Sequence, residues 1–186
     1  MLLMLLVLVP LLTGLLCWPL RERAVLERLN LIAFGIVAAL AVWLAAEVLR
    51  RGTVEAFGGF LRMDALSALV VGLTAFVALV CGIYAVGYLR EEERAGKINA
   101  RLLHRYYVLT PIFVGTMMAV PLVNNLGLLW VAIESTTLAS VLLVRFYNQK
   151  SSLEAAWKYI IIGSAGIALA LFGTCLLYTS PSPRDS

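Results

Sequence analysis

Histidine occurs once, at His104, and the three cysteines, Cys17, Cys81 and Cys175, stand far apart. There is no CxxC pair and no Cys/His cluster, which removes zinc and iron–sulfur ligation from consideration. A glycine-rich nucleotide fingerprint is missing too. Charge is scarce: Asp, Glu, Lys and Arg make up 14% of the 186 residues, against about 25% in a typical soluble domain. A shortage on that scale excludes an ordinary water-soluble core. What is present is apolar, 62% of the chain, with a mean hydropathy of +0.93 and runs approaching 20 residues.

These runs predict an all-α fold, a polytopic transmembrane helix bundle of about six helices. They cover roughly residues 2–20, 31–49, 64–89, 106–123, 125–144 and 157–174. Each is long enough to cross a hydrocarbon core of ~30 Å. The charges then belong to the connections: "RERAVLER" at 21–28, "RRGTVEAFGGFLR" at 50–62, "REEERAGKINARLLHR" at 90–105 and "RFYNQKSSLEAAWK" at 145–158. The first run has no basic stretch before it and no A-x-A cleavage site, so it reads as a retained helix rather than a signal peptide.

Orientation follows from the basic residues. Eleven Lys and Arg lie in the connections after the first, third and fifth segments; Arg50, Arg51 and Arg62 are the three after the second and fourth. The positive-inside rule puts the first set in the cytoplasm and the N-terminus outside. The net charge of +4 is therefore a matter of topology, and no nucleic-acid partner is expected. Trp18, Trp43, Tyr84, Tyr88, Tyr106, Tyr107, Tyr147 and Trp157 cluster near segment ends, as interfacial aromatics do. In the sixth segment Ser164 and Ala168, and Gly166 and Ala170, have the small-xxx-small spacing of packed membrane helices.

One residue resists this pattern. Within "LGLLWVAIESTTLASVLLV" (126–144), Glu134 lies about eight residues past the outer end, or roughly 12 Å into the membrane. An ionised side chain there costs on the order of 2.5–3.5 kcal/mol on insertion scales. The carboxylate needs a partner, a water-filled cavity or a proton, which makes ion or proton transport the default reading. Thr137, one turn on, is positioned to hydrogen-bond it or a water beside it. The structural alternative is a protonated Glu134 bonded to a neighbouring helix. Lys158, one turn after Glu154, forms either an interfacial ion pair or part of a proton path. Asp64 in "RMDALSAL" reads as a helix N-cap, Glu47 as an outward-reaching side chain, and His104 as a solvated residue of a charged loop.

Four stretches together carry a resemblance: "MDALSAL", "IYAVGYL", "NNLGLLWVAIESTTLASVLLVRFY" and "SSLEAAWKYIIIGSAG". The chain resembles, over roughly residues 60–174, the antiporter-like membrane subunits of NADH:quinone oxidoreductase (complex I), membrane-bound nickel–iron hydrogenases of the formate hydrogenlyase class, and multisubunit sodium/proton antiporters. The wording is most similar to the hydrogenase branch. The resemblance implies a proton-translocating subunit in a multi-pass bacterial or archaeal inner membrane. It would have no redox cofactor and no catalytic site of its own, and would associate with other membrane subunits that carry the electron transfer. Glu134 matches the family's fifth-helix glutamate, an essential part of its proton path. The partner lysine of that family lies on a broken seventh helix beyond this chain; Lys158 matches a different, sixth-helix lysine.

Residues 1–174 are then expected to be the N-terminal transmembrane part of a larger antiporter-like fold. The final "CLLYTSPSPRDS" resembles a translated transposase-type sequencing adapter, so 175–186 is expected to be a non-native tail. Two other functions use the same residues or none: a subunit of a sodium/proton antiporter, and a purely structural membrane anchor.

Overall fold

The computed structural model describes the backbone of residues 2–144 and 150–179, and the side chains of 2–144 and 154–179. Tyr147, Gln149 and the last seven residues of the tail lie outside the described residues. All six expected segments are helical: α1 (Leu2–Cys17), α2 (Arg23–Arg51), α3 (Ala65–Arg94), α4 (Ala100–Ala119), α5 (Leu126–Val144) and α6 (Lys150–Thr179). In α2, α3, α5 and the Glu154–Thr179 part of α6, length and apolar character suffice to cross a membrane.

The helices overrun the expected ends. Most of "RERAVLER" forms the opening turns of α2, and the 90–105 connection shrinks to residues 95–99. Arg, Glu and Leu are strong helix formers, so charge marks where the membrane ends and not where the helix ends. At 1.5 Å per residue the 29 residues of α2 extend roughly 44 Å, well past the hydrocarbon core.

Between α2 and α3 the structure adds an element that helical periodicity could not announce, a two-stranded antiparallel hairpin of β1 (Val54–Ala56) and β2 (Leu61–Met63). Its turn needs left-handed backbone at Phe57, Gly58 and Gly59, with φ of 55°, 61° and 91°. Two of the three are glycines, which carry no steric penalty there. Asn124 ties the hairpin to the α4–α5 corner: its amide N–H donates to Phe60 O at 3.0 Å and its Nδ2 to Gly59 O at 3.0 Å. Asp64 caps α3 as expected, accepting the Ser67 N–H at 2.8 Å. That backbone bond holds its carboxyl below the usual carboxylate range.

Four helices make the core. α1 packs against α2 and α4, and α2 against α3; α5 joins through α4, and α6 through α5. Near the hairpin end the core is filled by Phe34, Val37, Leu44, Met63, Val71 and Met118. Near the other end it is filled by Leu26, Leu89, Leu103, Tyr107 and Val108. Glycines set the closest approaches: a Cβ on Gly14 would lie 2.5 Å from Ile112 Cγ1 and 3.0 Å from the Val108 carbonyl. One on Gly115 would lie 2.7 Å from Leu11 Cγ. Small residues at such crossings substitute close van der Waals contact for a hydrophobic drive that lipid cannot supply.

The connections after α2 and α4 thus meet at one end of the bundle, while those after α1 and α3 meet at the other. Cysteines introduced at Val54 and Asn124, on a background with the native cysteines replaced, are expected to react with an impermeant maleimide added outside intact cells. One at Gly96 is expected to stay unlabelled until the membrane is opened. The reverse labelling would invert the orientation read from the arginines.

Candidate functional site

Asn125 starts α5, its Oδ1 accepting the Gly127 N–H at 2.9 Å and the Leu128 N–H at 3.2 Å. The helix then runs unbroken to Val144 with Glu134 as its only charged residue. Four hydroxyls follow it, and all turn back on their own helix. Ser135 donates to Val131 O at 2.7 Å, Thr136 to Ala132 O at 2.9 Å, Thr137 to Ile133 O at 3.2 Å and Ser140 to Thr137 O at 2.8 Å. Back-bonding of this kind satisfies hydroxyls where water is absent. Thr137 therefore serves the Ile133 carbonyl in this structure, not the carboxylate one turn before it. Its methyl group faces α6, where a Cβ on Gly163 would lie 3.3 Å away.

Three contacts, one turn apart along α5, join it to α6 in antiparallel register. Trp130 Nε1 donates to Ile167 O at 3.3 Å, Ser164 Oγ donates to Glu134 Oε1 at 2.9 Å, and Thr137 meets Gly163. Glu134 is half-buried, and its second oxygen, Oε2, is buried with no hydrogen-bond partner among the described residues. Nor does Glu134 belong to any ion pair formed among them. Lys158 stays apart: its Nζ holds Glu154 Oε1 at 2.6 Å, with both side chains exposed. It precedes Ser164 by six residues, roughly 9 Å along the helix. A cleft of about 590 Å³ between α3, α4, α5 and α6 is lined by Thr74, Thr136, Thr137, Ser140 and Tyr159 among others.

The charged end of the bundle holds residues that the pattern of runs did not single out. Glu27, 5% exposed, accepts from Arg23 Nε at 2.7 Å and from Arg90 Nη2 at 2.6 Å, and Arg23 also pairs with Glu93. The Arg23/Glu27 spacing of four residues was the available signal, hidden by reading that stretch as a loop. Beside it, buried Asn30 donates to Tyr107 O at 3.1 Å and to Leu26 O at 3.0 Å. His104 is not in a loop: it sits on α4, half-buried, with Nε2 3.1 Å from the Cys17 carbonyl. A carbonyl only accepts, so that contact assigns the proton to Nε2 and closes an open carbonyl at the end of α1. Glu47 pairs with Arg51 one turn on rather than reaching out alone.

Residues 123–183 match the transmembrane family described as NADH:quinone oxidoreductase/Mrp antiporter. Over 126 residues, 68% of this chain, the sequence is 39% identical to the hydrogenase-4 component F homolog of Methylacidiphilum infernorum, covering 26% of that protein. It is 34% identical over 123 residues to F420H2 dehydrogenase subunit N of Methanosarcina mazei, covering 66% of this chain and 23% of the relative. To Na+/H+ antiporter subunit A1 of Staphylococcus haemolyticus it is 33% identical over 118 residues, 63% of this chain and 14% of the relative. The chain thus spans about a quarter or less of the curated relatives it matches. The helix carrying Glu134, the helix that hydrogen-bonds it and the apolar lengths of both lie inside the matched region, and over about two thirds of its length this multi-pass membrane chain is similar to the antiporter-like membrane subunits of hydrogenases, F420H2 dehydrogenases and Mrp-type antiporters.

Proposed function

We propose that the chain is part of a proton-translocating membrane subunit of a hydrogenase or complex I-like oxidoreductase. In this reading Glu134 carries the proton, Thr137 borders its path, and Lys158 with Glu154 stands at the cytoplasmic end. Electron transfer belongs to other subunits of the same inner-membrane complex. One observation carries the reading: a lone carboxyl about 12 Å into an apolar helix has one oxygen held and the other buried without a partner among the described residues. A structural pair would satisfy both oxygens, because an unmet buried polar atom costs about 1–3 kcal/mol. A group that takes up and releases a proton needs an oxygen free to do so.

The relatives named as hydrogenase and F420H2 dehydrogenase components support coupling to electron transfer; the one named as a sodium/proton antiporter subunit supports a second reading, exchange driven by ion gradients alone. The test uses the full-length subunit in its assembled complex, in sealed vesicles. Proton uptake is expected on adding electron donor in sodium-free buffer, with collapse on adding a protonophore. Uptake that ignores the donor and follows an imposed sodium gradient would establish the antiporter reading in its place.

A further inference from the structure

Ser164 carries the small-residue spacing of α6, and packing alone would account for a small residue there. Its hydroxyl does something else. Every other described Ser or Thr hydroxyl on α5 and α6 bonds the backbone of its own helix: Ser135, Thr136, Thr137, Ser140, Thr174 and Thr179. Ser164 instead crosses to α5 and donates to Glu134 Oε1 at 2.9 Å. The crossing is set between two fixed points, the Trp130–Ile167 hydrogen bond on one side and the Thr137–Gly163 contact on the other. Both half-buried partners are therefore held in register by neighbours that do not titrate.

We infer that Ser164 is a positioning residue that decides which carboxyl oxygen of Glu134 exchanges its proton. A serine hydroxyl has one hydrogen to donate. With that hydrogen on Oε1, Oε1 is the carbonyl oxygen of the protonated acid, and the exchanging proton resides on Oε2. On release the Oε2–H bond breaks, its electron pair stays on Oε2, the proton bonds to a water molecule of the path, and Ser164 keeps its bond to Oε1. On uptake the same bond re-forms. The carboxyl group has no need to rotate between the two states, so the path always meets the same oxygen in the same place. Oε2 is the oxygen the structure leaves buried and without a partner among the described residues.

This inference rests on Glu134 being the proton carrier, and the test separates the two. Acid-minus-base infrared difference spectra of the full-length subunit in its complex would locate the protonated carboxyl band that Glu134→Gln removes. Ser164→Ala is expected to move that band to higher wavenumber, because its carbonyl oxygen loses a donor. The same variant is expected to cut proton uptake per electron by more than about 10-fold, the lower end of what one hydrogen bond to an ionised group is worth. Ser164→Thr, which keeps the hydroxyl, is expected to restore band and uptake together. If Ser164→Ala does not assemble, Ser164→Cys supplies a weaker donor and the band should move the same way by less. A band that stays put in the Ala or Cys variant, while Glu134→Gln abolishes pumping, would overturn the part assigned to Ser164 alone. Wild-type pumping in Glu134→Gln would bring down the carrier reading and this inference with it.

Discussion

Proton uptake is expected to fall by roughly 100-fold or more in Glu134→Gln, the lower end of what a positioned proton-transfer group contributes, while the complex assembles and electron transfer persists. Glutamine keeps the length of the side chain, and its amide oxygen can still accept the Ser164 hydroxyl found at Oε1. What disappears is the ability of the second position to gain and lose a proton. Glu134→Asp retains that ability but draws the carboxyl back by one methylene, lengthening the Ser164 bond, and is expected to be partly active. The measurement is proton uptake into inverted vesicles, normalised to assembled protein and to electron flux. A Gln variant that pumps like the wild type would remove the transport role from Glu134. Loss of assembly in both Gln and Asp would make the residue a structural tie between α5 and α6.

The second large effect is expected at the opposite end of the bundle. Glu27→Ala leaves the Arg23 and Arg90 guanidiniums, which converge on one buried carboxylate, without their shared counter-charge. Breaking a buried ion pair from one side costs about 3–5 kcal/mol. Arg23 is 30% and Arg90 54% exposed, so water recovers part of that, and about 2 kcal/mol is the expected loss. Arg90→Ala is expected to cost clearly less, because Glu27 keeps Arg23. Unfolding of the purified full-length subunit, followed by loss of helicity in denaturing detergent, ranks the variants. No loss in Arg90→Ala would mean that Glu27 does not join α2 to α3; a loss equal to that of Glu27→Ala would mean that its pair with Arg23 adds nothing.

The six helices were legible because membrane spans announce themselves through length and apolar character, and Glu134 was legible because nothing else on α5 is charged. The hairpin was not legible: "TVEAFGGFLRM" has too few residues for a period, and its turn depends on backbone freedom at Gly58 and Gly59. Glu27 was hidden for a different reason. Its sequence neighbours are arginines and leucines, and only folding brings Arg90, sixty-three positions away, to its second oxygen. His104 was misplaced because three basic residues within five positions read as solvent, although one face of that turn packs on α1. Ser164 satisfied a packing pattern so well that spacing gave no reason to look for a hydroxyl bond. Which face of α6 meets α5 is a property of two helices together.

The ladder of contacts between α5 and α6 also bears on how the chain enters the membrane. During synthesis α5 leaves the ribosome before α6, and the donor for Glu134 belongs to the later segment. Isolated in lipid, α5 must carry its carboxyl uncharged or not enter at all, since its other hydroxyls already bond their own backbone. Insertion as a two-helix hairpin avoids that stage: the acid and its serine reach the bilayer interior together. Ser164→Ala is therefore expected to slow membrane integration of α5 in a translocation assay, a defect that precedes any turnover.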